Sequence, residues 1–352
     1  HLKGDWRMAQ EDIDTIVAWV NQGPPFGSAE DLPPAREYPP VGEWRLAAEL
    51  GPPDHTVKSS AWDVPAEGQD LWWKPEVDSG ITESRCIKAV ETLPSKAAHG
   101  STHHANSHFM VKNEMGEWVR GDRLSEFAFG KLGEMVPKGA CRKVPEDSKV
   151  GWEVHYYPDG NAVPNDQVTV GIWYHDEEDN FTEEDAYPQD LRAYNLNGGG
   201  DFLIPPHGTL MTQGFHSFDH PVRVDSWQPH MHLRGVAMAL EVFDPATGSR
   251  EVLSQASNWN AGWNHSHTYE DGFQPLIPAG ATLVLTAWYD NTAGNPRNPD
   301  PDQWVGAGQR TTDEMSHAWI ALTHLDEAGY EQMLDEQQEL LKSKALVAGG
   351  AQ

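Results

Sequence analysis

"GWEVHYYPDG", residues 151–160, puts Trp152, Val154 and Tyr156 on one side of an extended chain and Glu153, His155 and Tyr157 on the other, then stops at Pro158-Asp159-Gly160. Apolar and polar residues alternating up to a turn are the pattern of a strand with one face in a core. His155 then lies on the face opposite the apolar one. The pattern recurs in "VTVGIWY" (168–174) through Val168, Val170, Ile172 and Tyr174, in "VAMALEVFD" (236–244) through Val236, Met238, Leu240 and Val242, and in "TLVLTAWYD" (282–290) through Leu283, Leu285, Ala287 and Tyr289. With 26 prolines and 32 glycines spread between such runs, the chain reads as mainly β.

Its 352 residues are enough for two cores of ordinary size. "AQEDIDTIVAWVN" (9–21) spaces Ile13, Ile16, Val17 and Val20 for an amphipathic helix that ends at Gly23-Pro24-Pro25. Residues 24–40, rich in proline and acid, read as a linker. Gly198-Gly199-Gly200, followed by Pro205-Pro206, marks a seam between two β domains. The tail "EQMLDEQQELLKSKAL" (331–346) favours a surface helix with a poor apolar stripe. The expected division is 1–36 as helix and linker, 37–203 and 204–328 as the two β domains, and 329–352 as helical tail.

Lys+Arg 25 against Asp+Glu 54 gives a net charge of −29, a field that repels nucleic acid and anionic membrane surfaces. No run of about 18 apolar residues encodes a membrane span. The chain begins at His1, with neither an initiating Met nor a signal peptide, and reads as a processed or truncated product. His-Glu-x-x-His, Cys-x-x-Cys, a Gly-rich phosphate loop and a Gly-x-Ser-x-Gly elbow are all absent, which leaves the common zinc-hydrolase, nucleotide and serine-hydrolase readings without support.

The 17 histidines cluster: His99, His103, His104 and His108 in "AHGSTHHANSHFM", His155, His230 and His232 in "SWQPHMHLRG" (226–235), and His265 with His267 in "WNHSHTY". In an extended strand His230 and His232 share a face and can meet one metal ion, beside Trp227 and Met231. A cupin site would place an acid within a few residues, but the next one is Glu241. Imidazole suits Zn, Cu, Fe and Ni, whereas a thioether favours Cu(I), which draws in Met315; core packing is the ordinary role for one of 9 methionines. His265 and His267 read more simply as ordinary histidines than as a third metal site.

The order His103-His104, His155, His230-Met231-His232, Asp313-Glu314-Met315 resembles the ascorbate-dependent type II copper monooxygenases, the family of peptidylglycine α-hydroxylating and dopamine β-monooxygenases. It is most similar to that family's bacterial, uncharacterised branch, through "KAVETLPS…HHA", "WEVHY", "QPHMHLRG", "LIPAGATLVLTAWYDN" and "NPDPDQWVGAGQRTTDEM", spread over about residues 42–325. The resemblance implies two tandem antiparallel β-sandwich domains, jelly-roll-like, with short terminal helices, each sandwich holding one copper. It assigns His103, His104 and His155 to an electron-transfer copper, and His230, His232 and Met315 to an oxygen-binding catalytic copper. The implied reaction hydroxylates a C–H bond with O2 and two external electrons, from ascorbate or a c-type cytochrome. The opening helix is itself similar to the last helix of a small c-type cytochrome, although no Cys-x-x-Cys-His occurs and an ordinary N-terminal cap helix is the plainer alternative.

Four positions depart from the family pattern. Where the peptide-processing member holds a substrate carboxylate with Arg, Asn and Tyr, this chain has Gln228, His317 and Trp319, so a small neutral or apolar substrate is expected, walled by Trp227 and Trp319. Glu153 replaces a usual glutamine. His99, His108 and His317 stand near the implied ligands and are candidates to support them. Copper chemistry belongs in an oxidising compartment, periplasmic or extracellular, which favours a disulfide between the only two cysteines, Cys86 and Cys141. The leading expectation is a dicopper monooxygenase. The alternatives are a non-catalytic copper-binding or electron-transfer subunit, and a binding β-sandwich that uses metal structurally.

Overall fold

The computed structural model describes residues 1–4, 7–35, 40–128, 131, 133–176, 179–196, 202–262 and 264–349. The chain is mainly β, built as two sandwiches. In the first, an antiparallel sheet of His55–Lys58, Thr169–Tyr174, Arg85–Leu93 and Ala140–Val144 faces a second sheet. That second sheet orders Leu71–Trp73, Lys149–Tyr156, Thr102–Lys112 and Trp118–Ala128, with Glu76–Asp78 also paired to Lys149–Tyr156. Between them lies a core drawn from both, including Val57, Ile87, Val90, Val170 and Ile172 on one side and Phe109, Leu124, Val150, Trp152, Val154 and Tyr156 on the other. The alternation in 151–160 is realised: Trp152, Val154 and Tyr156 are buried in this core, each worth about 1.5–3 kcal/mol of apolar burial. The Tyr156 hydroxyl is satisfied there by Asp166 Oδ2 at 2.6 Å.

The second sandwich sets Val222–His230, His317–His324 and Tyr187–Asn195 against a four-stranded sheet ordered Thr209–Ser217, Thr282–Asp290, Gly235–Asp244, Ser249–Ser257. Its core joins Val222, Val224, Trp227, Ile320 and Leu322 to Met238, Leu240, Leu283, Leu285 and Ala287.

Tyr187–Asn195 links the two sandwiches. It runs antiparallel to His317–His324 from Gln189 to Asn195, and parallel to Ala140–Val144 through Tyr187↔Ala140 and Pro188↔Cys141. One sheet is therefore continuous across both cores. The Cys86–Cys141 disulfide is formed beside this junction, with Cα atoms 5.0 Å apart. The expected seam at Gly198-Gly199-Gly200 lies outside the described residues.

Both terminal helices are present. Gln10–Asn21 covers the expected span, with Ile13, Ile16, Val17 and Val20 all exposed. Glu327–Gly349 lies against the second sandwich through Gln337 Nε2, which donates to Gln274 O at 3.0 Å. No helix among the described residues is long and apolar enough to cross a membrane.

Candidate metal centre

Strict strand alternation would send His103 and His104 to opposite faces. The register prevents this: His104 pairs with His155, yet Tyr156 pairs with Thr102, so His103 is an extra residue in the ladder. A β-bulge of this kind makes two consecutive residues oppose one and re-aims their side chains. The donor nitrogens of His103, His104 and His155 consequently all lie within 4.8 Å of one another, the one group of three His, Cys, Asp or Glu closing this tightly among the described residues. His155 Nδ1 is 3.2 Å from His104 Nε2, while its Nε2 meets Asp70 Oδ2 at 3.2 Å. Trp72, its cross-strand partner, stacks on the imidazole with centroids 4.4 Å apart and planes 8° from parallel.

Asp70 and Trp72 were not singled out from the sequence. They lie more than 80 positions from His155, and only the pairing of Leu71–Trp73 with Lys149–Tyr156 brings them to it.

In the second group, His230 ends its strand and pairs with His317, the first residue of His317–His324. Their rings are 4.6 Å apart, and the His230 and His232 rings 5.4 Å. His232 Nδ1 donates to Asp313 O at 3.1 Å, which leaves Nε2 as its lone-pair nitrogen. Glu314 fixes the backbone here, its carboxylate accepting from His232 N at 2.7 Å and Arg234 N at 2.6 Å. Burial pushes Glu314 up to about 7 against those donors and the Arg234 charge. His317, expected only as support, stands level with the ligand candidates.

Both groups line a single cavity of about 140 Å³: Trp72, His103, His104 and His155 from the first sandwich, and His230, His232, Met315, His317 and Trp319 from the second. Burial lowers the basicity of all six histidines, His230 to about 4 and His104 and His317 well below the usual value, and neighbouring imidazoles depress most of them further. Neutral imidazoles with free lone pairs are the form that binds metal. Nδ1 of His104 is buried and meets no hydrogen-bond partner among the described residues. Three imidazoles in one group, and imidazoles with a thioether in the other, are a donor set suited to copper.

The remaining singled-out residues divide. Trp319 and Glu153 line the cavity. Burial raises the Glu153 carboxyl, but Arg120, bonded to both its oxygens at 3.1 and 3.2 Å, holds it below the usual range. Trp227 does not wall the cavity; it is 1% exposed within the second core, on the face of Val222–His230 opposite His230. Gln228 turns away to donate to Glu126 Oε2 at 2.7 Å. His108 packs over Gly151 inside the sheet, and His99 packs edge-on to Phe127; neither reaches the cavity. His267 pairs with Trp227, and His265 lines a separate cavity with Lys131 and Ser266.

No family model matches this chain, and no curated protein does. Among solved structures it is similar to the major capsid protein P2 of bacteriophage PM2, at 8% identity over 77% of this chain and 98% of that one, TM-score 0.30. It is also similar to N-glycanase F (PNGase F), at 10% identity over 77% and 96%, TM-score 0.29, and to a fucolectin of striped bass, Morone saxatilis, at 9% over 77% and 86%, TM-score 0.20. Likenesses this low say nothing about what this chain does.

Proposed function

We propose that the chain is a dicopper monooxygenase that hydroxylates a C–H bond of a small neutral or apolar substrate. The observation that carries this reading is the shared cavity: six side chains scattered from His103 to Met315, and singled out together by the resemblance, line one space as two groups from two sandwiches. His103, His104 and His155 would hold one copper, and His230, His232 and Met315 the other, with His317 alongside. Bound copper would supply one-electron redox chemistry and activation of O2, with two electrons from ascorbate or a c-type cytochrome.

The protein's own residues supply the positioning. Asp70 and Trp72 fix the His155 ring, and Asp313 O sets the His232 tautomer. Trp72 and Trp319 give the cavity flat apolar walls. Gln228 stands where the family's peptide-processing member has a carboxylate-binding arginine, and its amide is committed to Glu126, which favours an uncharged substrate. The disulfide accords with a periplasmic or extracellular setting.

Elemental analysis of the purified protein tests the reading. Two coppers per chain are expected, one lost or weakened in His155→Ala and the other in Met315→Ala, followed by substrate-dependent O2 uptake. Another metal, or copper untouched by both substitutions, would overturn it. Two coppers without O2 uptake across a screen of neutral substrates would favour an electron-transfer subunit.

A further inference from the structure

A second histidine pair lies at the other end of the strand that carries His317. His324 closes His317–His324, seven residues or roughly 23 Å along the strand from His317. His220 sits in the turn before Val222–His230, and pairing of Val222 with His324 brings the two rings together. His220 Nε2 is 2.7 Å from His324 Nδ1. The other nitrogen of each ring faces a carboxylate: His220 Nδ1 meets Asp219 Oδ1 at 2.5 Å, and His324 Nε2 meets Asp190 Oδ2 at 3.0 Å.

An ionised carboxylate only accepts hydrogen bonds, so each ring directs its N–H at its aspartate. The facing nitrogens, His220 Nε2 and His324 Nδ1, are then both bare lone pairs. Two lone pairs at that distance repel, and a metal ion bound by both rings through bonds of about 2.0–2.1 Å relieves this as the nitrogens open to about 3 Å. The carboxylate–imidazole arrangement on each side is the one that orients and strengthens metal-binding histidines.

Asp190 adds an independent sign. Its side chain is 7% exposed, it forms an ion pair with Arg192 Nε at 2.9 Å through the same oxygen that holds His324, and its buried Oδ1 meets no partner among the described residues. The His220 and His324 side chains are 43% and 27% exposed, which leaves water free to complete a coordination shell.

We propose that His220 and His324 bind one divalent late transition-metal ion, of the Zn2+ or Cu2+ class, at a site separate from the shared cavity. Imidazole pairs suit these ions, and Asp219 and Asp190 hold the rings.

Zn2+ titration of the full chain by calorimetry tests this without reference to oxygen chemistry. His324→Gln and His220→Gln are each expected to lose one Zn2+ equivalent that His155→Ala retains, and Asp190→Asn to weaken that equivalent about 10- to 100-fold. His220, in an exposed turn, serves as the variant least disturbing to the fold, checked by unchanged thermal unfolding. Unchanged stoichiometry and affinity in both histidine variants would overturn the proposal.

Discussion

Gln228 donates its Nε2 to Glu126 Oε2 at 2.7 Å, tying Val222–His230 of the second sandwich to Trp118–Ala128 of the first. Gln228 Oε1 in turn accepts from Ser266 Oγ at 2.9 Å and Lys131 Nζ at 3.2 Å. Glu126 also meets Arg123 at 2.8 Å and Lys131 at 3.2 Å, and these cations hold its carboxyl far below the usual range despite burial. The two histidine groups face one cavity across two sandwiches that this buried polar seam and the shared sheet tie together.

Removing either partner exposes the cost. Gln228→Ala removes one of the two buried donors to Glu126 Oε2 and the acceptor of Ser266 Oγ, and should destabilise the chain by about 1–3 kcal/mol. Glu126→Leu takes from buried Arg123 its carboxylate partner, while Lys131 keeps Glu134 at 2.9 Å, and should cost about 3–5 kcal/mol. Urea unfolding of the two variants would give this order; an unchanged midpoint in Glu126→Leu would mean that the seam does not hold the sandwiches.

Asp70→Asn should leave the fold intact and weaken metal binding at the His103, His104 and His155 group about 10- to 100-fold, since the carboxylate orients His155. Competition against a calibrated chelator measures this, with the second group as internal control. Equal affinities would show that Trp72 stacking alone positions the ring.

Trp227 and Trp319, both expected from the sequence to wall the substrate site, should separate cleanly. Trp227→Ala empties part of the second core and should cost about 3–5 kcal/mol. Trp319→Ala, on the cavity and beneath the Arg123 guanidinium at 3.6 Å, should cost less and change ligand affinity instead. Denaturant midpoints together with binding of a neutral aromatic probe decide between them.

Stability of the metal-free chain should fall as pH drops from about 6.5 towards 4. Burial holds His108 and His230 at about 4 in the folded chain, each also pressed by neighbouring cations. Below 6.5 the unfolded chain takes up protons that the folded chain does not, so the contribution is present above that pH and lost on the way down. Thermal unfolding across this range would show it, and His108→Gln should flatten the slope.

Opening the Cys86–Cys141 link, which closes a separation of 55 residues, should cost about 4 kcal/mol by loop entropy. Chemical denaturation of the Cys86→Ser/Cys141→Ser double variant measures it; an unchanged midpoint would place the restraint in the parallel pairing of Cys141 with Pro188.

What the sequence determined by itself was local and periodic. Alternation in 151–160 put Trp152, Val154 and Tyr156 in a core and His155 on the other face, because successive strand residues must point opposite ways. The same parity separated Trp227 from His230, so its place in the core was legible although the residue was read as a cavity wall. Three features needed the tertiary structure. The bulge at His103 depends on the partner strand's register, which no local pattern encodes. Asp70 and Trp72 reach His155 only by cross-strand pairing. Gln228 and His317 have their places, one bound to Glu126 and the other beside His230, because two sandwiches share a continuous sheet, and contacts between distant segments are set by packing rather than by spacing along the chain.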